Sequence, residues 1–276
     1  MKKSFIKIAV YAAVIVVFIA VSFSLFRYAG NKAKSSASSG VFQSETAALF
    51  KKAKILEKQG KLIAAKQTYQ KLFSDYPTAE NLQKIQHKIL SLNIKILFSP
   101  TVTSDSKLYE VAPGDSLEKI AKKFNTTIEL IKKANNLSGN LIKPGMELKV
   151  QKESFSIVVD KSQNTLTLFS GEEIIKVYTV STGKGNSTPV GTFKIVNKLI
   201  NPPWYSAKGV IPPDSPENVL GTRWLGIDKA GYGIHGTDNP DTIGYQSTEG
   251  CIRMYNADAE ELYAIVPRGA KVVIID

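Results

Sequence analysis

The sequence is poor in the residues that most often carry metal-binding, redox and nucleophilic chemistry. Its 276 residues include one cysteine, Cys251, and two histidines, His87 and His235. A single cysteine excludes a disulfide within the chain, so the cysteine count does not fix the redox compartment. His87 lies in a polar, lysine-rich stretch and is interpreted as a surface residue. We expect neither a metal ion nor a cofactor.

Acidic residues are scarce in the first part of the chain. Residues 1–154 hold 25 Lys and Arg against 11 Asp and Glu, whereas residues 155–276 hold 11 against 13. The basic half is therefore expected to meet an anionic surface. Nucleic acid, a membrane, and a bacterial wall rich in phosphate and carboxylate all fit that charge. Hydrophobic residues form 43% of the chain, which excludes a largely disordered protein.

A basic start, MKKSFIK, precedes 19 uncharged residues from Ile8 to Phe26. A helix of that length crosses a hydrocarbon core of roughly 30 Å, so we predict a membrane anchor within residues 1–30. A cleaved signal peptide, with cleavage near residues 22–24, is the alternative. Basic residues flank the run on both sides, so charge does not set its orientation. Residues 31–42 are small, polar and basic, which predicts a flexible linker.

Apolar residues recur at helical spacing over residues 43–98 and predict three helices. The spacing resembles one tetratricopeptide repeat (TPR), through Gly60, Ala65, Tyr69 and Pro77. A generic helical hairpin used as a spacer is the alternative. A single repeat cannot bury its own apolar face, so the third helix or a protein partner is expected to cover it.

Residues 107–151 predict a βααβ unit, with a short strand, two capped helices and a last strand after a Pro-Gly turn. The whole unit resembles a LysM module. The positions that carry this resemblance are Tyr109, Val111, Gly114, Asp115, Leu117, Ile120, Ala121, Phe124, Ile131, Asn135, Leu137, Ile142, Pro144, Gly145 and Leu148.

The LysM resemblance implies binding to glycans that contain N-acetylglucosamine, above all peptidoglycan. It implies a groove between the segment Gly114, Asp115 and Ser116 and the loop that begins at Asn135 and includes Leu137. A small packing module that has lost its ligand is the alternative.

From residue 155 onward the hydrophobic period is two, with hairpin signals and loops rich in glycine and proline. One helix is predicted in ADAEELYAIV, with Asp258 near its start. The pattern predicts a mainly-β domain with long loops, and such loops often carry function.

Cys251 and His235 both lie at glycine-rich turns of this domain, 16 positions apart. A cysteine with one distant histidine on a β scaffold is typical of a thiol acyl-transfer site. A buried structural cysteine with an unrelated loop histidine is the alternative. Several segments in order resemble the L,D-transpeptidase (YkuD-like) catalytic domain over almost all of residues 155–276: STGKGNSTPVGTF, GTRWLGI, IHGTDNP, GCIRMYNADAEELY and VPRGAKVVI.

By this resemblance Cys251 is the nucleophile, His235 is its base, and the Gly236 carbonyl orients the imidazole. Backbone N–H groups near Gly250 and Cys251 would stabilise the oxyanion. In the implied reaction the Cys251 thiolate attacks the carbonyl of the third residue of a tetrapeptide stem. D-Ala is released and a thioester forms. An amine from a neighbouring stem then gives a 3→3 cross-link, whereas water would give a trimmed stem.

The substrate contacts implied by the resemblance are Arg253, Thr248, Glu249 and Asn256. Arg253 would hold the acyl-donor stem or order its loop. Glu249 departs from the family, which usually has histidine there. A carboxylate facing the sulfur would raise the thiol pKa by about two units. Glu249 is therefore expected to point away, to contact an ammonium group of the substrate, or to weaken the site.

Together these patterns predict a multidomain protein that acts outside a bacterial plasma membrane, anchored there or secreted. Its expected partners are peptidoglycan strands and stems, and the wall accounts for the basic half without nucleic acid. A non-catalytic wall-binding protein and a stem-peptide hydrolase are the alternatives. The predicted parts are an N-terminal transmembrane helix in 1–30, a linker in 31–42, a TPR-like helical segment in 43–98, a LysM module in 107–151 and a mainly-β L,D-transpeptidase domain in 155–276.

Overall fold

A computed structural model describes residues 38–276, except 78, 80, 207 and 208. The chain divides into two compact units, one up to Leu92 and one from Asn93 to Asp276. The predicted membrane anchor and the first part of the predicted linker lie outside the described residues. Within the described part of the chain, no helix is long and apolar enough to cross a membrane.

The first unit is built from helices α1 (Ser38–Lys58), α2 (Leu62–Asp75) and α3 (Leu82–Leu97), and the last turn of α3 belongs to the second unit. Gly60, with φ +72°, makes the turn between α1 and α2. The sequence predicts a linker over residues 31–42, but α1 begins at Ser38, so residues 38–42 are helical. Serine is favoured where helices begin. The buried apolar side chains of this unit are Ala53, Ala65, Tyr69, Leu72, Ile85 and Leu92.

A βααβ module opens the second unit. Its elements are β1 (Ser106–Glu110), α4 (Leu117–Lys123), α5 (Ile128–Ala134) and β2 (Glu147–Gln151), and β1 pairs antiparallel with β2. Ser116 and Thr127 cap the two helices, since their hydroxyls accept from the backbone N–H three residues later. The order of elements is the one that the sequence predicts.

The module is joined to the rest of the second unit by buried polar contacts. Lys149 Nζ donates to the carbonyl of Ile96, in the last turn of α3, at 2.7 Å and to that of Ser99, two residues after the helix, at 2.8 Å. Burial lowers the pKa of Lys149 to about 8. The Thr127 hydroxyl donates to the Ala264 carbonyl. The Lys149 contacts join the module to the end of α3, and the Thr127 contact joins it to the β domain that follows.

The strands of the β domain are β3 (Phe155–Asp160), β4 (Thr165–Ser170), β5 (Glu173–Thr179), β6 (Thr182–Gly183), β7 (Gly191–Ile200), β8 (Trp204–Ser206), β9 (Gly209–Ile211), β10 (Arg223–Ile227), β11 (Gly233–His235), β12 (Gln246–Thr248), β13 (Ile252–Arg253) and β14 (Lys271–Ile275). Eight of them form one sheet in the order β13-β11-β10-β7-β14-β3-β4-β5. Helix α6 (Asn256–Ile265) lies in the region where the sequence predicts one.

The core of this domain lies between the sheet and α6. Leu262 and Ile265 of α6 are fully buried, as are Leu225 of β10, Ile234 of β11 and Ile252 of β13. Neighbouring residues on these strands therefore project from the other face of the sheet, away from α6. That second face holds the candidate site.

Candidate active site

The predicted pair Cys251 and His235 comes from two adjacent strands at one edge of the sheet. Strands β11 and β13 run parallel, with Ile234 opposite Ile252 and His235 opposite Arg253. Both isoleucines are fully buried in the core. Because side chains alternate along a strand, the residues beside them project from the opposite face. Cys251, one residue before β13, therefore shares a face with His235 and Arg253.

On this register Cys251 and His235 are diagonal neighbours. A strand spacing of about 4.8 Å and a rise of about 3.3 Å per residue put their Cα atoms about 8 Å apart. Side chains of this length can meet across such a diagonal. The register therefore places the two residues that the sequence predicts as nucleophile and base as diagonal neighbours on one face of the sheet.

His235 is a buried imidazole with a defined tautomer. The residue is 2% exposed, and its Nδ1 lies 2.6 Å from the Gly236 carbonyl oxygen. A carbonyl only accepts, so Nδ1 carries the ring proton and Nε2 has the free lone pair. Burial lowers the pKa of His235 to about 4; the charge of Arg253 also lowers it, and the Gly236 and Leu220 carbonyls oppose the change. At neutral pH the imidazole is an uncharged base.

The thiol of Cys251 is subject to opposing influences. Burial raises the pKa of Cys251, whereas the Gly233 N–H and the charge of Arg253 lower it. The Sγ atom lies 3.5 Å from the Gly231 carbonyl, to which it donates. Since a thiolate is the reactive form, this thiol needs a nearby base and a nearby positive charge to act as a nucleophile.

Two threonines hold the turn before the thiol. Thr248 Oγ1 donates to the Cys251 carbonyl at 2.6 Å and accepts from the Gly250 N–H at 3.1 Å. Thr188 Oγ1 accepts from the Gly183 N–H at 2.7 Å and donates to the Gly250 carbonyl at 2.8 Å. The Gly250 N–H, predicted as an oxyanion donor, is thus already engaged, and the Cys251 N–H is the other donor that the prediction names.

Gly250 is required by its surroundings as well as by its backbone. Its φ is +130°, a conformation that other residues rarely adopt. A Cβ atom at this position would lie 2.7 Å from the ring of Tyr232. The aromatic ring therefore packs directly on the turn and limits its movement.

Trp224 forms a wall of the site that the sequence did not single out. On β10 it lies opposite His235, and the two rings stack with centroids 5.9 Å apart and 23° between planes. A Cβ atom at Gly233 would lie 2.6 Å from the indole, so the indole covers that glycine. Trp224 Nε1 donates to Asn197 Oδ1 at 2.9 Å. The motif GTRWLGI contains this residue, but only the strand register shows which face it occupies.

Arg253 is held on both sides and has one unused donor. Its backbone pairs with Ser181 through bonds of 2.9 and 2.7 Å, and Nη1 donates to Thr242 Oγ1 at 3.0 Å. Its Nε is buried and has no hydrogen-bond partner among the described residues. Glu249, in contrast, is exposed. The first of the three interpretations of Glu249, a side chain that points away, agrees with this exposure.

Asn256 braces the turn that follows the histidine. Its Oδ1 accepts from the Thr222 N–H at 3.0 Å, and its Nδ2 donates to Asp238 at 2.9 Å. A Cβ atom at Gly236 would lie 2.0 Å from Asn256 Oδ1, so the amide packs against that backbone. Asn256 and Thr248, both predicted to bind substrate, therefore have structural contacts that position His235 and Cys251.

The polar residues of the predicted glycan groove also bond within the fold. Asp115 Oδ2 accepts from the Tyr109 hydroxyl at 2.7 Å and the Ala112 N–H at 2.9 Å. Asn135 Nδ2 donates to the Lys149 carbonyl at 2.9 Å, and its Oδ1 accepts from the Lys149 N–H at 2.7 Å. Three further predicted groove residues have roles in a turn, a helix cap and the module core: Gly114 with φ +83°, Ser116, and the half-buried Leu137. Their contact with a glycan stays a prediction.

The fold and the site together define a β domain with the parts of a thiol acyl-transfer centre. A thiol, a neutral imidazole and a guanidinium share one face of an edge strand pair. Among the described residues, no three His, Cys, Asp or Glu side chains come together in a way that would hold a metal ion.

Comparison with known proteins gives the family. The L,D-transpeptidase catalytic domain matches residues 154–274, and the LysM domain matches residues 109–151. YkuD of Bacillus licheniformis, named as an L,D-transpeptidase, is 36% identical over 175 residues, which are 60% of this chain and 98% of that protein. YqjB of Bacillus subtilis, also so named, is 39% identical over 126 residues, 44% of this chain and 70% of that protein. The chain therefore belongs to the L,D-transpeptidase family.

Both resemblances seen in the sequence are confirmed, in the predicted order, and the TPR-like segment is consistent with the three helices. Among solved structures, the L,D-transpeptidase from Mycobacterium smegmatis is 22% identical, with a TM-score of 0.40. That match covers 48% of this chain and 64% of the mycobacterial one. The family assignment depends on the Bacillus relatives.

Proposed function

We propose that this protein is a peptidoglycan L,D-transpeptidase that forms 3→3 cross-links through a thioester on Cys251. The proposal is supported by the family, by the LysM module beside the catalytic domain, and by the position of His235 on the strand next to the thiol. The observation that carries it is the β11–β13 register, since it gives the thiol and a neutral imidazole one face of the sheet.

In the first step His235 Nε2 takes the proton from the Cys251 thiol. The sulfur then attacks the carbonyl carbon of the third stem residue, and the carbonyl oxygen gains the negative charge. The Cys251 N–H is the proposed donor to this oxygen. Collapse of the intermediate breaks the bond to D-Ala, whose nitrogen takes the proton back from His235. The product is a thioester between Cys251 and the shortened stem.

In the second step an amine of a neighbouring stem attacks the thioester. It gives a proton to His235 Nε2, and the C–S bond breaks as the new amide forms. The proton then returns to the sulfur. Water in place of the amine would give a trimmed stem, which is the reaction of a hydrolase.

The substrate lies, in this proposal, over Trp224 and along the face that carries Cys251. The exposed carboxylate of Glu249 is close in sequence to the thiol and, in this proposal, points away from the sulfur into solvent. Arg253, whose Nε is unused among the described residues, borders the same space.

We further propose that the protein acts outside the plasma membrane of a bacterium, where glycan strands and stems are found. The uncharged run from Ile8 to Phe26 would anchor it with the N-terminus inside, and the excess of lysine and arginine before residue 155 suits an anionic wall. The helical unit is the proposed surface for a protein partner. Fractionation of cells that express the full chain tests the location, with release by detergent but not by salt as the expected result.

The activity is tested with a purified tetrapeptide stem as donor, with and without an acceptor amine, by mass spectrometry. A cross-linked product that requires the acceptor supports a transpeptidase. A trimmed stem as the sole product would make the protein a hydrolase. A carbapenem provides an independent test, because an adduct on Cys251 requires a competent nucleophile. No product and no adduct would leave only a wall-binding protein.

A further inference from the structure

The edge strands of the sheet indicate which cation stabilises the Cys251 sulfur when it loses its proton. A sulfur that loses its proton inside a half-buried site needs a positive charge nearby. In many Cys–His pairs the protonated imidazole supplies that charge. Here burial lowers the pKa of His235 to about 4, so a standing imidazolium is disfavoured at neutral pH.

We propose that Arg253 supplies the positive charge that stabilises Cys251 as a thiolate, while His235 serves as a neutral proton acceptor. The inference depends on the proposed role of Cys251 as the nucleophile. In this proposal Arg253 acts on the sulfur of Cys251, and its role is not confined to holding the substrate or ordering the loop.

The strand geometry supports this assignment. Arg253 is the second residue of β13 and Cys251 directly precedes that strand. Extended backbone over these positions puts the two side chains on one face, with Cα atoms about 6.6 Å apart. His235 lies directly opposite Arg253 on β11. The backbone of Arg253 is fixed by Ser181 on its other side. The backbone of Arg253 is therefore paired on both sides, and its guanidinium is held by the Thr242 hydroxyl.

The hydrogen bonds of Arg253 support it as well. Nη1 is held by Thr242 Oγ1 at 3.0 Å, whereas the buried Nε lacks a partner among the described residues. A buried N–H without a partner is costly and calls for an explanation. An anion that forms only during the reaction would provide the missing partner. Burial raises the pKa of Cys251; the Gly233 N–H lowers it, and the charge of Arg253 lowers it further, which agrees with the assignment.

Other titratable groups around the turn differ from Arg253 in exposure, charge or partners. His235 is neutral, and Tyr232 packs on the turn through its ring. Lys161 is buried, but its Nζ donates to the Thr188 carbonyl at 3.0 Å and lies 3.7 Å from Asp276. The others are exposed: Glu249, Lys184 and Lys229. Among these cations Arg253 is the one with a buried donor that lacks a partner in the described residues. A guanidinium also keeps its charge at every pH of interest.

The test measures alkylation of the full chain by iodoacetamide from pH 5 to 10. The thiolate displaces iodide, so the rate follows the ionised fraction, and Cys251 is the only cysteine in the sequence. In Arg253→Gln we expect the pKa of the thiol to rise by about one unit. The rate at pH 7 should fall about threefold to tenfold, since a higher pKa also makes the thiolate somewhat more nucleophilic.

Two variants separate charge from shape. Arg253→Lys keeps the charge and should restore most of the rate. Arg223→Gln removes a guanidinium from the other face of the sheet, where Arg223 Nη1 lies 3.7 Å from Glu260, and should leave the profile unchanged. Circular dichroism checks that each variant is folded.

His235→Gln distinguishes the two possible counter-ions. If Arg253 carries the charge, this variant keeps the wild-type pKa of alkylation. If an imidazolium carries it, the pKa rises in His235→Gln and does not move in Arg253→Gln. An unchanged profile in Arg253→Gln, or a loss in Arg253→Lys as large as in Arg253→Gln, would also overturn the proposal. Because alkylation needs no peptidoglycan, these results do not depend on whether the protein cross-links stems.

Discussion

In the LysM module the polar side chains form hydrogen bonds within the module itself. Asp115 accepts from the Tyr109 hydroxyl, and Asn135 accepts from the Lys149 N–H. At the strand pair β11–β13 two groups keep unused capacity: the Nε2 lone pair of His235 and the Nε donor of Arg253, which has no partner among the described residues. The thiol of Cys251 has only a long contact of 3.5 Å to the Gly231 carbonyl. Both regions contain residues that the sequence assigned to ligand contact. The difference indicates that reactive chemistry belongs to groups whose hydrogen-bonding capacity the fold leaves free.

The same comparison applies within the catalytic domain. Thr248, Thr188 and Asn256 are bonded on both their donor and acceptor sides, and they hold the turns that carry Cys251 and His235. Such braces set the geometry of a reactive pair, because small displacements of reacting groups reduce rates strongly. These residues position the reactive groups and do not take part in the chemical steps.

The largest expected effect is the loss of the base. His235→Gln should reduce the kcat/KM for cross-link formation at least about a thousandfold, because no group then takes the thiol proton. His87→Gln is the matched control, since His87 is exposed on α3, and it should retain wild-type activity. Product formation from a tetrapeptide donor and an acceptor amine, followed by mass spectrometry, gives the values. Comparable activity in the two variants would remove His235 from the mechanism.

Acid should destabilise the catalytic region before it affects the LysM turn. An unfolded histidine takes up a proton near pH 6.5, whereas His235 does so only near pH 4. The unfolded state therefore binds more protons in that window. The free energy of unfolding should fall by about 3 kcal/mol as the pH falls from 6.5 to 4.

For Asp115, hydrogen bonds from Tyr109 and Ala112 lower the pKa below its usual value of 3.8. The contribution of Asp115 to the free energy of unfolding is present above pH 3.8 and is lost only as the pH falls further. Urea unfolding at several pH values, for wild type and His235→Gln, measures the difference. Parallel pH curves for the two proteins would contradict the buried, neutral histidine.

A smaller effect is expected from Asn135 in the LysM module. Asn135→Ala removes bonds to Ile131 and Lys149 and should lower the free energy of unfolding by about 2 kcal/mol. Asn140→Ala, at an exposed position whose Oδ1 accepts from Lys132, should be close to neutral. Sedimentation with insoluble peptidoglycan, at a temperature where both variants are folded, should give equal retention. Reduced retention in Asn135→Ala alone would make Asn135 a ligand contact.

The smallest effect is expected at Glu249, because its carboxylate is exposed. Glu249→Gln and Glu249→His should both keep the rate within about threefold of wild type, since water screens an exposed charge. Donor stems with and without a free ammonium group should be compared. A loss with only one kind of stem would assign Glu249 to specificity, and a large gain with histidine would mean that the carboxylate weakens the site.

Much of this architecture could be predicted from the sequence, because period-two and helical patterns and turn residues act locally. The βααβ order follows from the Ser116 and Thr127 caps and the Pro-Gly turns. The pattern does not predict the beginning of α1, since the small polar residues before Val41 are equally typical of a linker. It predicts no role for Trp224, because a tryptophan on a strand gives no sign of its face until the partner strands are known.

Motif order and residue type are local properties, so the modules, the single thiol and its accompanying histidine can be predicted without coordinates. Which groups are free to react depends on how the chain packs. Register across β10, β11 and β13 gathers Trp224, His235 and Arg253 on one face, and burial makes the imidazole a neutral base. Both depend on strand pairing between distant segments, and desolvation arises only when those segments pack together.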